Sequence, residues 1–189
     1  SPMIQTNRGC PFSCTFCVDG TNLVQQVNQF SVERVKKDLE YIANHVPKNT
    51  HSLFISDLNF GMIPRDLEFC DFLANLKDQV GYPSQIQATT GKNSKERIIN
   101  AIQSLHGALR IYMSVQSLDE KVLSNIKRSN ISPQQLIELA PAIKEADLRT
   151  TSEVILGLPG ESYQSHIQTL RDLVKAKMDD IQVYSCMML

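Results

Sequence analysis

The chain contains no apolar stretch approaching the ~20 residues of a membrane-spanning helix, so nothing in it reads as a membrane segment. It has no run of basic residues either. Its 19 lysines and arginines face 20 aspartates and glutamates, and the net charge of −1 argues against a polyanionic partner such as a nucleic acid. Low-complexity segments and linkers rich in proline, glycine or serine are missing. One compact domain with a substantial core is therefore the expectation for 189 residues. The N-terminal Ser1-Pro2 shows neither an initiator methionine nor the charged-then-apolar pattern of a secretory signal. The expectation is a cytoplasmic chain, with residues 1–189 forming one core domain out of a longer multidomain protein.

The five cysteines are odd in number, which argues against a disulfide framework and for metal ligands or inert core thiols. Three of them crowd into "RGCPFSCTFC", where Cys10, Cys14 and Cys17 are spaced C-x3-C-x2-C. A disulfide takes two cysteines and a tetrahedral zinc site takes four ligands. The loop lacks that fourth ligand: His45, His51, His106 and His166 are scattered, and none stands at ligand spacing from it. Cys70 falls on an apolar helix face and reads as a small core residue. Cys186 follows the last strand and reads as structural.

What the chain does have is an alternation of two patterns. Short β-rich runs occur at Met3–Thr6, Ser52–Ser56, Gln85–Thr89, Arg110–Val115, Thr150–Ile155 and Asp180–Tyr184. Between them apolar residues step by three or four, as in Val32, Val35, Leu39, Ile42 and Val46, or Ile167, Leu170, Val174 and Met178. A brief helix is expected over Asp119–Ile126. Ser132-Pro133-Gln134-Gln135 is a capping-box pattern, Pro64 is placed to open the second helix, and Pro141 should kink or split the fifth. Six strand–helix alternations with apolar strands imply a parallel sheet with helices outside it. An open doubly wound sheet and a barrel both satisfy this. A full eight-fold barrel needs about 250 residues, so six units suit a three-quarter (β/α)6 barrel.

Active sites in such folds lie at the carboxyl ends of the strands. The first strand runs straight into the cysteine loop. The second delivers Asp57 and Asn59, the third Thr89, Thr90 and Lys92, the fourth Ser114, Gln116 and Ser117. The fifth carries Glu153 inside an apolar run, with Glu153 and Ile155 pointing opposite to Ser152, Val154 and Leu156. A buried carboxylate is costly unless paired or hydrogen-bonded. Polar groups thus gather at the end of the sheet that holds the three thiols.

Iron–sulfur clusters are held by cysteine thiolates, usually four for a four-iron cluster. The C-x3-C-x2-C loop after a first strand, with aromatic Phe16 before the last cysteine, resembles the core domain of the radical S-adenosylmethionine (radical SAM) superfamily. The resemblance covers the whole chain and implies a partial (β/α)6 barrel. It implies that Cys10, Cys14 and Cys17 hold a 4Fe–4S cluster whose open iron takes the amino and carboxylate groups of S-adenosylmethionine. Where that superfamily usually has Gly-Gly-Glu, this chain reads Ser56-Asp57-Leu58-Asn59, which resembles the cobalamin-binding branch. This implies Asp57 as acceptor for the methionine amino group, with Asn59 beside it. "SVQS" looks like the ribose and carboxylate contacts, through Gln116 and Ser117, and Thr89 joins the same cofactor-binding set. "VLSNIKR" resembles the segment whose basic residue meets the methionine carboxylate, giving Arg128, with Lys127 as alternate. "SEVILGLPGES" looks like the strand-five motif, with Glu153 at the ribose hydroxyls, Ile155 against the adenine, and Gly157, Pro159 and Gly160 turning the chain.

The implied activity is reductive cleavage of S-adenosylmethionine to methionine and a 5′-deoxyadenosyl radical that modifies a substrate. Cobalamin on a domain outside this chain, flanking domains of the same protein, and a reductant such as flavodoxin or ferredoxin are the implied partners. Cobalamin-dependent methylation is one reading. A cobalamin-independent radical SAM enzyme acting on tRNA or a metabolite is a second, and a non-enzymatic degenerate barrel or zinc-binding module a third.

Overall fold

The structure, a computed structural model, describes residues 1–90, 95–130, 132–145 and 149–187. In chain order the elements are β1 (Met3–Ile4), β2 (Asn7–Arg8), β3 (Asn28–Gln29), α1 (Val32–His45), β4 (Ser52–Phe60), α2 (Asp66–Val80), β5 (Gln85–Thr90), α3 (Lys95–Ser104), β6 (Leu109–Tyr112), α4 (Glu120–Asn125), α5 (Pro133–Glu145), β7 (Thr150–Leu156), α6 (Tyr163–Lys175) and β8 (Asp180–Ser185). Local chemistry sets several of these boundaries. The Ser31 hydroxyl accepts from Arg34 N and caps α1. The expected capping box at α5 forms: Ser132 N donates to Gln135 Oε1 at 2.8 Å and Gln135 N to Ser132 Oγ at 3.2 Å. Ser162 and Ser165 make the same reciprocal pair at α6.

The expectation for Pro64 needs correction, and one of the two outcomes expected at Pro141 is ruled out. Pro64 does not open α2. It sits in the turn before it, and the helix starts at Asp66, whose Oδ2 collects the N–H groups of Gly61 (2.8 Å) and Ile63 (3.1 Å). Pro141 does not split α5, which runs through it as one helix.

The six main strands form one sheet in the order β1-β4-β5-β6-β7-β8, every neighbouring pair parallel. This order decides between the two architectures left open by the sequence. A doubly wound sheet reverses its strand order at a switch point. Here each new strand joins on the same side as the last, which is the winding of a barrel. Among the described residues β1 pairs only with β4 and β8 only with β7, so the barrel is partial. Leu53, Ile55, Ile86 and Leu109 of the strands pack with Phe69, Cys70 and Leu73 of α2 into the main core, all at most 1 % exposed. Each such side chain contributes about 1.5–3 kcal/mol through burial.

Three departures from regular strands shape the end where the loops gather. The first strand stops at Ile4, not Thr6, because Thr6 and Asn7 turn their N–H groups onto Asp57. Asn7–Arg8 then pairs antiparallel with Asn28–Gln29, a small sheet absent from the sequence expectation that closes the base of the cysteine loop. Between the pairs Ile55–Ala88 and Phe60–Thr90, β4 advances five residues while β5 advances two. This bulge carries Asp57, Leu58 and Asn59, in the position where bulges commonly re-aim side chains beside active sites. The fourth sheet strand ends at Tyr112, not Val115. Gln116 takes a left-handed backbone, φ 65°, and the chain runs on beside β7 through Met113 N to Thr151 O and Gln116 N to Glu153 O, both 2.8 Å.

Candidate active site

The cysteine loop is pinned from three sides. Cys10 N donates to Val24 O at 2.9 Å, Cys17 N to Cys14 O at 3.1 Å, and Thr15 N to Ile126 O at the end of α4 at 3.1 Å. All three thiols are free. Together with Phe16, Thr89, Gln116, Arg128 and Glu153 they line one cavity at the carboxyl ends of the strands. With Ser114, nine of the residues anticipated from the sequence therefore meet around one space. Phe12, Asp19, Gly20 and Leu58 also line it. Ser114 stands at the end of the fourth strand run, where the strand-end rule points. Leu58 reaches the cavity through the bulge, which leaves no mark in the sequence.

Four of the expected cofactor contacts lie outside that lining, as do Thr90 and Lys127. Asp57 is 2 % exposed and its carboxylate is filled from within the protein. It accepts from Thr6 N at 2.8 Å, Asn7 N at 3.3 Å, Asn7 Nδ2 at 2.8 Å and the Thr6 hydroxyl. Burial pushes its pKa up, while the bonds from Thr6 and Asn7 and the charge of Arg65 pull the other way. Asn59 is buried and donates from Nδ2 to Cys10 Sγ at 3.3 Å. Ser117 is fully buried, its hydroxyl accepting from Asp119 N ahead of α4. Ile155 packs with Phe16, Leu123 and Cys186 around Val122, Ile126 and Leu158. Lys92 falls outside the described residues. Cys70 is fully buried, and desolvation pushes its thiol up to about 12, too high for a ligand or nucleophile.

The electrostatics of the cavity centre on Arg128. It is 6 % exposed, with Nε on Asn130 Oδ1 at 2.8 Å, Nη2 on the Ser114 carbonyl, and Nη1 3.9 Å from Cys14 Sγ. Burial lowers its pKa, and the charges that oppose this are those of Cys14, Cys17 and Cys10. A buried guanidinium is costly without an anion nearby, and the cavity it lines holds the Glu153 carboxylate and the three cysteines. Across the cavity Glu153 Oε2 accepts from the Ser114 hydroxyl at 2.5 Å, and Gln116 Oε1 is buried without a partner among the described residues.

Residues 4–173 match the family model of the radical SAM superfamily. The chain belongs to the radical SAM superfamily. It is 35% identical over 184 residues to the cobalamin-dependent radical SAM methyltransferase TokK of Streptomyces tokunonensis. It is 36% identical over the same length to the 2-(S-pantetheinyl)-carbapenam-3-carboxylate methyltransferase of Streptantibioticus cattleyicolor. Both alignments cover 95% of this chain and 27% of the relative, so the chain spans about a quarter of the length of these curated relatives. The fold is that of the radical SAM methyltransferase TsrM of Kitasatospora setae, with a TM-score of 0.82 at 14% identity over 97% of this chain and 35% of that one. The chain is thus a radical SAM enzyme domain, of a superfamily that uses a 4Fe–4S cluster and S-adenosylmethionine, with methyltransferases among its relatives. No helix among the described residues is long and apolar enough to cross a membrane.

The donor set of this radical SAM barrel fits a cluster. No three His, Cys, Asp or Glu side chains among the described residues converge as ligands of a single ion do. A four-iron cluster would be held by cysteine thiolates and would need open space beside them. Three free thiols ringing a cavity, with a buried cation beside them, match that demand.

Behind the cavity a second buried carboxylate yields a pH prediction. Burial raises the Asp66 pKa from 3.8 to about 6, against the opposing pull of the Ile63 and Gly61 N–H groups. The folded protein therefore holds this proton more tightly than the unfolded chain does. Its contribution to stability is complete below pH 3.8 and is lost as pH rises through about 6, a change of roughly 3 kcal/mol. Asp66→Asn keeps an oxygen for the two N–H groups and removes the titration. In urea unfolding of the iron-free protein it is expected to flatten the fall in stability between pH 4 and 7. Identical pH dependence in the two proteins would show that Asp66 ionises at no cost.

Proposed function

We propose that Cys10, Cys14 and Cys17 hold the 4Fe–4S cluster, with S-adenosylmethionine beside it in the same cavity, and that the whole protein is a cobalamin-dependent radical methyltransferase. The observation that carries the first part is the buried Arg128 among three free thiols, in a cavity shared with Glu153 and with a Gln116 oxygen that has no partner among the described residues. The second part rests on the two methyltransferase relatives that this chain matches over 95% of its length. Cobalamin and the groups that select the substrate then belong to the portion of the protein outside this domain.

When bound, the cluster supplies the electron that cleaves S-adenosylmethionine. The chain's own side chains bind and orient. Arg128, held at Nε and Nη2 by Asn130 and the Ser114 carbonyl, presents Nη1 to the methionine carboxylate. Glu153 accepts from the ribose hydroxyls, with the Ser114 hydroxyl fixing its other oxygen. Gln116 is aimed by its left-handed backbone and by the two bonds that lash it to β7: Gln116 N to Glu153 O and Ile155 N to Gln116 O. Asp57 works from behind, tying Thr6 and Asn7 at the root of the cysteine loop, since four donors already fill its oxygens. Phe16, over which the Arg128 guanidinium lies at 5.8 Å, walls the cavity against water.

Glu153→Ala and Gln116→Ala are expected to weaken S-adenosylmethionine binding while leaving iron content unchanged. A lost hydrogen bond involving a charged group costs roughly 1.5–3 kcal/mol, or about 10- to 150-fold in affinity. Equilibrium binding to anaerobically reconstituted protein measures this. Unchanged affinity in both variants would place the cofactor elsewhere. Product analysis of the full-length protein with cobalamin, after reduction, tests methyl transfer. Formation of 5′-deoxyadenosine with no methylated product from any acceptor would turn the assignment toward cobalamin-independent chemistry.

A further inference from the structure

The three thiols do not share one environment. Cys14 faces the Arg128 guanidinium, and Cys17 Sγ lies 4.0 Å from Asp19 Oδ2. Cys10 alone meets a neutral amide, with Asn59 Nδ2 at 3.3 Å. Both partners of that contact are buried, Cys10 at 7 % and Asn59 at 4 % exposure. Asn59 sits at the end of the β4 bulge, next to the fully buried Phe60 whose pairing with Thr90 restores the strand register. Its other amide atom, Oδ1, is buried without a partner among the described residues. A side chain that leaves its oxygen unbonded to place its nitrogen on a sulfur is not explained by packing, because an apolar residue of the same shape avoids the orphan oxygen altogether. A thiolate can only accept, so an ionised Cys10 holds the amide with its N–H toward the sulfur.

We infer that Asn59 is a positioning residue that sets the reduction potential of the cluster, by donating its amide N–H to the Cys10 sulfur. Reduction adds negative charge to the cluster and its ligand sulfurs. A donor aimed at one of those sulfurs stabilises the reduced state more than the oxidised one and raises the potential. The amide does this without the charge that a second cation would add to the cavity. Its rigidity comes from the bulge, which fixes Asn59 between a filled carboxylate at Asp57 and the core at Phe60. The inference rests on the assignment of the cluster to the three cysteines.

The test is a redox titration of the reconstituted cluster, without S-adenosylmethionine, followed by EPR in wild type and Asn59→Leu. Leucine is of similar size and removes both the donor and the orphan oxygen. Iron content is expected to stay at the wild-type level. The reduction equilibrium is expected to shift about tenfold toward the oxidised cluster, a midpoint lower by about 59 mV for one electron. Full iron with an unchanged midpoint overturns the role of Asn59 and leaves the cluster assignment standing. Absence of iron from the wild type overturns the cluster assignment instead. Should Asn59→Leu itself fail to retain iron, pulsed EPR of the reduced wild-type cluster with 15N in asparagine side chains decides. A 15N coupling supports the N–H to sulfur bond, and none overturns it.

Discussion

Cys14→Ala is expected to leave the protein without a stable cluster, and Cys70→Ala to leave it fully loaded. The two thiols differ in every respect that matters. Cys14 lines the cavity and faces Arg128, while Cys70 is sealed in the core on α2 with its thiol pushed up to about 12. Removing Cys14 withdraws one of three ligands. It also strands the guanidinium of Arg128, whose Nη1 loses the sulfur it faces. A buried donor that loses its partner costs about 1–3 kcal/mol, so Cys14→Ala is expected to lower folding stability even in iron-free protein. Iron and sulfide analysis after anaerobic reconstitution reads the first effect and urea unfolding the second. About four irons per chain are expected in wild type and Cys70→Ala. Full iron loading in Cys14→Ala would mean that the ligands lie elsewhere.

The contrast between Asp57 and Glu153 shows where sequence reading reaches and where it stops. Both are carboxylates at the ends of apolar strands, and both were expected at the cofactor. Alternation along β7 puts Glu153 on the side that lines the cavity, because an unbroken strand has a period of two. It lines the cavity, while Ser152 and Val154 point into the protein. Along β4 the residues alternate too, with Leu53, Ile55, Asp57 and Asn59 buried in turn. What the pattern does not carry is the bulge against β5, which depends on a partner some 30 residues away. That bulge turns Asp57 onto Thr6 and Asn7 and sends Leu58 to the cavity. The three-quarter barrel itself was legible because six strand–helix units are local features, each written in its own stretch of chain. The small sheet of Asn7–Arg8 with Asn28–Gln29 was not, since two-residue strands bury almost nothing and leave no periodic trace. Arg128 was legible as a basic residue, and it lines the cavity. Its anchors, Asn130 and the Ser114 carbonyl, come from packing between loops.

Gly20→Ala is expected to abolish iron binding without touching a single ligand. The cysteine loop closes so tightly that a Cβ on Gly20 would stand 2.2 Å from the Cys14 carbonyl oxygen and 3.1 Å from its carbon and nitrogen. These are backbone atoms of a ligand residue, so no side-chain rotation relieves the clash. Either the Val18–Gly20 turn moves or Cys14 does, and Cys17 N to Cys14 O and Gly20 N to Cys17 O join the two into one unit. Gly9 makes the same demand at the loop's other end. A Cβ there would meet Gln26 O at 2.2 Å and Val24 O at 2.9 Å, and its φ of 109° is closed to an L side chain. That contact lies beside the Cys10 N to Val24 O bond, so Gly9→Ala is expected to displace Cys10 as Gly20→Ala displaces Cys14. Gly81→Ala is the control. Its φ is also left-handed, at 79°, but nothing lies within 4 Å of the added carbon, so it should cost about 1–2 kcal/mol of stability and no iron. Iron per chain, with circular dichroism to confirm that each variant folds, separates the cases. Wild-type iron in both Gly9→Ala and Gly20→Ala would show that the loop adapts around the cluster. Loss in both with a folded barrel would show that the loop's backbone, built before any iron arrives, holds the three thiols where the cluster needs them.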